Sequence, residues 1–196
     1  MGTIRDYTNL NYVIEYTEAM KILILSPLFP PDTGAPAPYT KELATRLGAA
    51  HEVKLLIYGY LPEGVENVPI TAIDKRSTLL LRLIRFTKTL FAMSRECELI
   101  IVQNAPSIEL PAFLISRIKK TPMLLIKSDP LAEERSKRGI YRLLHTLLST
   151  RCDKTLTLPN ASLYQKAELL PFTEFDTQTE AMREAWWKQH VAEIKV

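Results

Sequence analysis

MKILILSPLFPPDTGAPAPYTKELATRL (Met20–Leu47) is the stretch that decides the fold. Its opening, KILILS (21–26), is a near-continuous apolar run, as expected of a strand buried on both faces. The run stops at Ser26-Pro27. A loop stiffened by Pro30, Pro31, Pro36 and Pro38 follows, with Gly34 among them. A helical pattern then begins. Over 38–48, Leu43, Ala44 and Leu47 share one face, and Gly48 suits a helix end. A buried strand emptying through a loop into an amphipathic helix is the first half of a βαβ unit.

The rest of the chain repeats that alternation. EVKLLIYG (52–59), VPITAID (68–74), CELIIVQN (97–104), PMLLIKSD (122–129) and KTLTLP (154–159) read as strands. The helical segments are 77–95, 108–120, 132–149, a short one near 161–169, and 177–195. Pro111 is expected in the first turn of the 108–120 helix, where a missing N–H costs nothing. The pattern predicts an α/β fold: a Rossmann-like, doubly wound, mainly parallel sheet with helices on both faces. In such sheets ligands sit beyond the carboxyl ends of the strands. The loops to inspect are therefore 26–38, 59–67, 103–108, 127–134 and 158–162.

Composition narrows the function classes. The chain has 196 residues, 46% of them hydrophobic, enough for one ordinary domain with a real core. A net charge of +3 with scattered bases gives no argument for nucleic acid. The two cysteines, Cys97 and Cys152, lack metal-ligand spacing and read as reduced thiols of an intracellular, cytoplasmic protein. No metal site is expected. No apolar run reaches the roughly 18 residues that span a bilayer. Residues 1–19 carry Arg5, Asp6, Glu15 and Glu18 and read as an extension ahead of a domain over 20–176. A C-terminal helix occupies 177–196.

Each candidate site residue has a functional and a structural reading. The loop after the first strand either contacts a phosphate or substrate, with Gly34 allowing close approach, or is a rigid connection. Neither G-x-G-x-x-G nor a P-loop is present. Asn104 and Ser107 sit at the end of the fourth strand, and Lys127 and Asp129 at the end of the fifth. Lys127 suits a phosphate or carboxylate, and Asp129 could take a hydroxyl proton or hold a sugar. Alternatively, Asp129 caps the next helix and Lys127 is solvated or paired with it. His51, His145 and His190 read as surface or packing residues. Helix 77–95 combines Arg82, Arg85, Lys88 and Arg95 with a broad apolar set. It reads either as a crossover helix or as a peripheral contact with an anionic membrane at its inner face.

Several of these segments together carry a resemblance. The Met20–Leu47 loop, the Ala50-His51-Glu52-Val53 turn, ELIIVQNAPS (98–107), MLLIKSDP (123–130) and RCDKTLTL (151–158) occur in the order and spacing of one family. Residues 20–176 resemble the N-terminal, acceptor-side domain of family 4, GT-B fold glycosyltransferases. The resemblance implies the acceptor-binding half of a nucleotide-sugar-dependent enzyme, inactive without a donor-binding domain. A separate donor-binding partner, a sugar or lipid-linked acceptor, and a nucleotide sugar as co-substrate rather than a cofactor follow from it. It places Pro30, Pro31, Gly34, Ala35, Asn104, Ser107, Lys127 and Asp129 at the substrate cleft, with Lys127 and Asp129 as candidates for catalysis. The family's second loop glycine is Ala35 here, and Lys127 stands where many members have histidine. LLPFTEFD (169–176) looks like the family's crossover into its second domain. The alternative is a non-catalytic module that binds a glycan, a lipid-linked sugar or a protein, or a truncated enzyme. The helix over 177–195, with Trp186 and Trp187, is expected to fold back onto the domain or to bind a partner.

Overall fold

A computed structural model describes residues 19–34, 36–127, 142, 146, 152–157 and 177–194. Its described strands are β1 (Lys21–Ser26), β2 (Glu52–Tyr58), β3 (Ile70–Ile73), β4 (Leu99–Gln103), β5 (Met123–Lys127) and β6 (Lys154–Thr157). The described α-helices bounded here are α1 (Pro36–Gly48), α2 (Leu79–Met93), α3 (Pro106–Lys119) and α4 (Thr177–Ile194). The strands form one sheet in the order β3-β2-β1-β4-β5-β6, every adjacent pair parallel. This is the doubly wound order, with its switch point between β1 and β4.

The apolar runs are continuous because the sheet is covered on both sides. Ile22, Ile24, Leu55, Ile57, Leu99, Ile101, Leu124 and Ile126 point to one face, where Leu43 and Leu47 of α1 and Trp187 and Ile194 of α4 meet them. Leu23, Leu25, Leu56, Ile100, Val102, Met123 and Leu125 point to the other. There they pack on Phe86 and Leu90 of α2 and on Ile108, Ala112 and Ile115 of α3. Period-two alternation thus splits each strand between two cores.

Two helices start earlier than the sequence pattern predicts. α1 begins at Pro36 rather than 38, and α3 at Pro106 rather than 108. Proline is at home in a first turn, because its absent N–H would have no helical partner there. The early start puts Pro111 in the interior of α3, not in its first turn. An interior proline strips the helical partner from the carbonyl four residues back, which is Ser107. That carbonyl accepts a hydrogen bond from the Tyr58 hydroxyl instead, at 3.3 Å. The C-terminus of β2 thereby supplies what Pro111 withholds. At the far end of α3, Lys120 takes the left-handed conformation (φ 56°) that closes many helices.

α4 folds back onto α1 and the sheet. Trp187 is fully buried and stacks on Tyr39 with ring centres 5.5 Å apart. His190 is buried beside it, sharing a 2.6 Å hydrogen bond with Tyr39 Oη and stacked on Trp186 at 4.6 Å. Arg46 of α1 holds both carboxylate oxygens of Glu184, one at 2.8 Å. Lys154 of β6 donates to the Glu193 carbonyl. The histidine that the sequence assigned to surface or packing is a packing residue.

Candidate functional site

The carboxyl ends of β1 and β4 meet in a buried polar knot. The pairing of Leu25 with Val102 sets Ser26 beside Gln103 one residue on. Ser26 Oγ lies 2.7 Å from Gln103 Oε1, 3.0 Å from Thr40 Oγ1 and 2.5 Å from the Leu28 carbonyl. Thr40 donates to the Pro36 carbonyl at 2.7 Å. Ser26, Thr40 and Gln103 have no exposed surface. Buried polar groups must find partners, and these three find one another. The knot therefore welds strand β1, the first turns of α1 and strand β4 at the switch point.

Outside the knot, the 27–34 loop is fixed at several points. Asp32 accepts from the Phe29 N–H at 3.2 Å and pairs with Lys75 at 2.5 Å. Glu63 donates its N–H to the Pro30 carbonyl and takes Lys41 at 2.6 Å. The Pro30-Pro31 peptide bond is cis. A Cβ on Gly34 would lie 2.3 Å from Leu28 Cδ1, so that space is filled by a side chain of the same loop.

The first turn of α1 has few N–H groups for an anion. Pro36 and Pro38 have none, and Ala37 gives its own to the Gly34 carbonyl at 2.9 Å. At α3, Pro106 again removes a donor, and no side chain caps the turn. Any ligand here is therefore met largely by side chains and loop backbone.

The described candidates converge on one edge. Pro31 and Gly34 lie in the loop after β1, Asn104 and Ser107 follow β4, and Lys127 ends β5. Asn104 is buried, and its N–H bonds the Ile126 carbonyl at 3.0 Å. Lys127 is half-buried. With neighbouring strands ~4.8 Å apart, the ends of β1 and β5 stand roughly 10 Å from each other. Ala35 and Asp129 lie outside the described residues, as do the 132–149 and 161–169 helices apart from Arg142 and Thr146.

Ser26, Thr40 and Gln103 were not among the sequence candidates. The available signal was a polar residue closing each of two apolar runs, KILILS and LIIVQ. Tyr58 was missed too. Burial pushes its phenol above the ordinary value, so it stays a hydrogen-bond donor across the physiological range. Cys97 and Cys152 form no disulfide, and burial likewise raises the Cys97 thiol. Among the described residues no group of His, Cys, Asp and Glu gathers to hold a metal.

The fold and this edge define a Rossmann-like α/β domain of the kind found in GT-B proteins. No family model matches the chain, and no curated protein is similar to it. Solved structures are. Anabaena Alr3699/HepE in complex with UDP and glucose superposes with a TM-score of 0.52 at 18% identity, over 76% of this chain and 40% of that one. The same protein with UDP-glucose gives 0.53 at 18% identity, over 76% and 39%. With UDP alone it gives 0.50 at 18% identity, over 76% and 40%. The chain thus spans about two fifths of the length of these neighbours. No described helix is long and apolar enough to cross a membrane.

Proposed function

We propose that this domain is the acceptor-side half of a nucleotide-sugar-dependent glycosyltransferase of the family 4 type, working with a donor-binding domain. The observation that carries this is the likeness to a GT-B fold crystallised with UDP and glucose, together with the Pro-rich loop at the switch point. In this reading Pro31, Gly34 and Ala35 form one wall of the acceptor cleft. Asn104 and Ser107 line its floor, and Lys127 neutralises an anionic group of acceptor or donor. Asp129 takes the acceptor hydroxyl proton as the new glycosidic bond forms and the bond to the nucleoside diphosphate breaks. The domain alone is inactive, because both substrates must be held in register. Its cysteine usage suits the cytoplasm.

Calorimetric titration of the purified chain tests this. Expected is saturable binding of an acceptor sugar, free or lipid-linked, weakened at least about tenfold by Asn104→Ala or Lys127→Ala. UDP-glucose should give no heat. Nucleotide-sugar binding that ignores both substitutions would refute the acceptor assignment. The alternative is a non-catalytic glycan-binding module, favoured by Lys127 standing where many family members have histidine. Acceptor binding without turnover, when UDP-glucose and proteins co-purified from lysate are added, would select it.

A further inference from the structure

Nine large hydrophobic residues are exposed among the described residues, and seven of them lie on α2 and α3. On α2 these include Leu80 (67% exposed), Leu81 and Ile84, with Phe91 near its end. On α3 they are Leu114 and Ile118. The other two, Tyr60 and Leu61, sit on the loop after β2, where Arg76 stacks over Tyr60 at 3.9 Å just before α2 begins. α2 buries only Phe86 and Leu90 of its fifteen residues, whereas α1 buries seven of thirteen. The two helices adjoin, and Lys119 of α3 lies 4.2 Å from the Phe91 ring centre. The exposed apolar residues of α2 and α3 therefore lie on adjoining helices of one layer.

The charges carried by these two helices have a single exposed sign. α2 contains no acidic residue, and the one acid of α3, Glu109, is buried. Arg85 and Lys88 of α2 and Arg117 of α3 are exposed beside the apolar residues, with Arg117 reaching Asp153 3.7 Å away; past the end of α2, exposed Arg95 is followed by exposed Glu96 and Glu98. The opposite layer differs: on α1 and α4, Arg46 is matched by Glu42 and Glu184, and Arg183 by Glu180. Among the described helices, those of predominantly one charge sign lie in one layer of the sandwich.

We propose that the α2–α3 face docks on an anionic lipid surface. Leucine, isoleucine and phenylalanine between arginines and lysines match the two parts of such a surface. Apolar side chains enter the acyl boundary while the long basic ones reach up to headgroup phosphates. A second copy of the chain is a poor occupant, since a two-fold contact would set these cations against their own copies. α2 begins at the carboxyl edge of the sheet, so docking brings that edge to the lipid.

Co-sedimentation with vesicles of phosphatidylcholine, with and without phosphatidylglycerol, tests the proposal. Binding is expected only with the anionic lipid and should weaken as salt rises. Arg85→Ala with Lys88→Ala should lower partitioning roughly 30-fold, at about 1 kcal/mol per basic residue. Leu80→Ser with Ile84→Ser should abolish it, while Lys188→Ala on α4 should leave it unchanged. These positions are exposed, and circular dichroism is the check that each variant folds. No binding, equal binding to neutral vesicles, or equal loss in the α4 variant would overturn the proposal. So would a dimer in sedimentation equilibrium that the α2 substitutions dissociate.

Discussion

Trp187→Ala is the sharpest probe of how α4 belongs to this domain. Trp187 has no exposed surface, sits in the same core as Ile24, Leu43 and Leu124, and stacks on Tyr39. Truncating such a tryptophan costs about 3–5 kcal/mol, as transfer energy plus the cavity left behind. For a domain whose whole stability is ~5–15 kcal/mol, that is a large share. At about 2–4 °C per kcal/mol for this size, the melting temperature should fall by roughly 6–20 °C. Trp186, only half-buried, should cost less on the same truncation. The chain has two tryptophans and both lie on α4, so tryptophan fluorescence, excited selectively over the tyrosines, reports on this helix alone. Urea unfolding followed by fluorescence and by far-ultraviolet dichroism should therefore coincide if α4 unfolds with the sheet. A Trp187→Ala variant within about 0.5 kcal/mol of the parent, the range of a surface substitution, would refute the packing. A fluorescence transition well before the dichroism one would refute the shared unfolding unit.

Three further outcomes are expected. Tyr58→Phe should cost about 0.5–1 kcal/mol, since the hydrogen bond to the Ser107 carbonyl is long. In a Pro111→Ala background that cost should shrink, because the N–H restored by the alanine can serve the same carbonyl; an unchanged cost in the double-mutant cycle would sink the link. Ser26→Ala, which removes the centre of the buried knot, should lower stability by about 1–3 kcal/mol, measured as a shift in urea midpoint. Burial holds the His190 imidazole below its ordinary value of 6.5, with Glu193 pulling weakly the other way. The unfolded chain therefore takes the proton first. Stability should be level above pH 6.5 and fall as the pH drops from there through the lowered folded value. A His190→Gln variant should lose that slope in urea midpoints taken across pH.

The strands were legible because a parallel sheet buried on both faces needs unbroken apolar runs, and KILILS, EVKLLIY and LIIVQ are such runs. Strand order was not legible, and with it went the knot. Ser26 and Gln103 are 77 residues apart and meet only because β4 lies beside β1. Helix starts at Pro36 and Pro106 were set late by the sequence pattern because the first turn of each carries little amphipathic signal. Pro111 was misplaced for a different reason. A proline inside a helix is tolerable when a distant hydroxyl serves the orphaned carbonyl, and Tyr58 is 49 residues from Ser107. α4 was recognised as a helix, but its seat depends on Tyr39 and Arg46, which nothing local announces.

The loop after β1 has a consequence for whatever occupies the edge beside it. Its conformation is held from four sides: by the knot at Ser26, by Lys75 on Asp32, by Glu63 N–H on the Pro30 carbonyl, and by Leu28 filling the space over Gly34. Such a wall has little conformational entropy left to lose when a ligand arrives. Association with this wall should therefore proceed without ordering of the 27–34 loop. It should show the modest heat-capacity change of a rigid surface losing its water, not the large one of a segment that folds around its ligand.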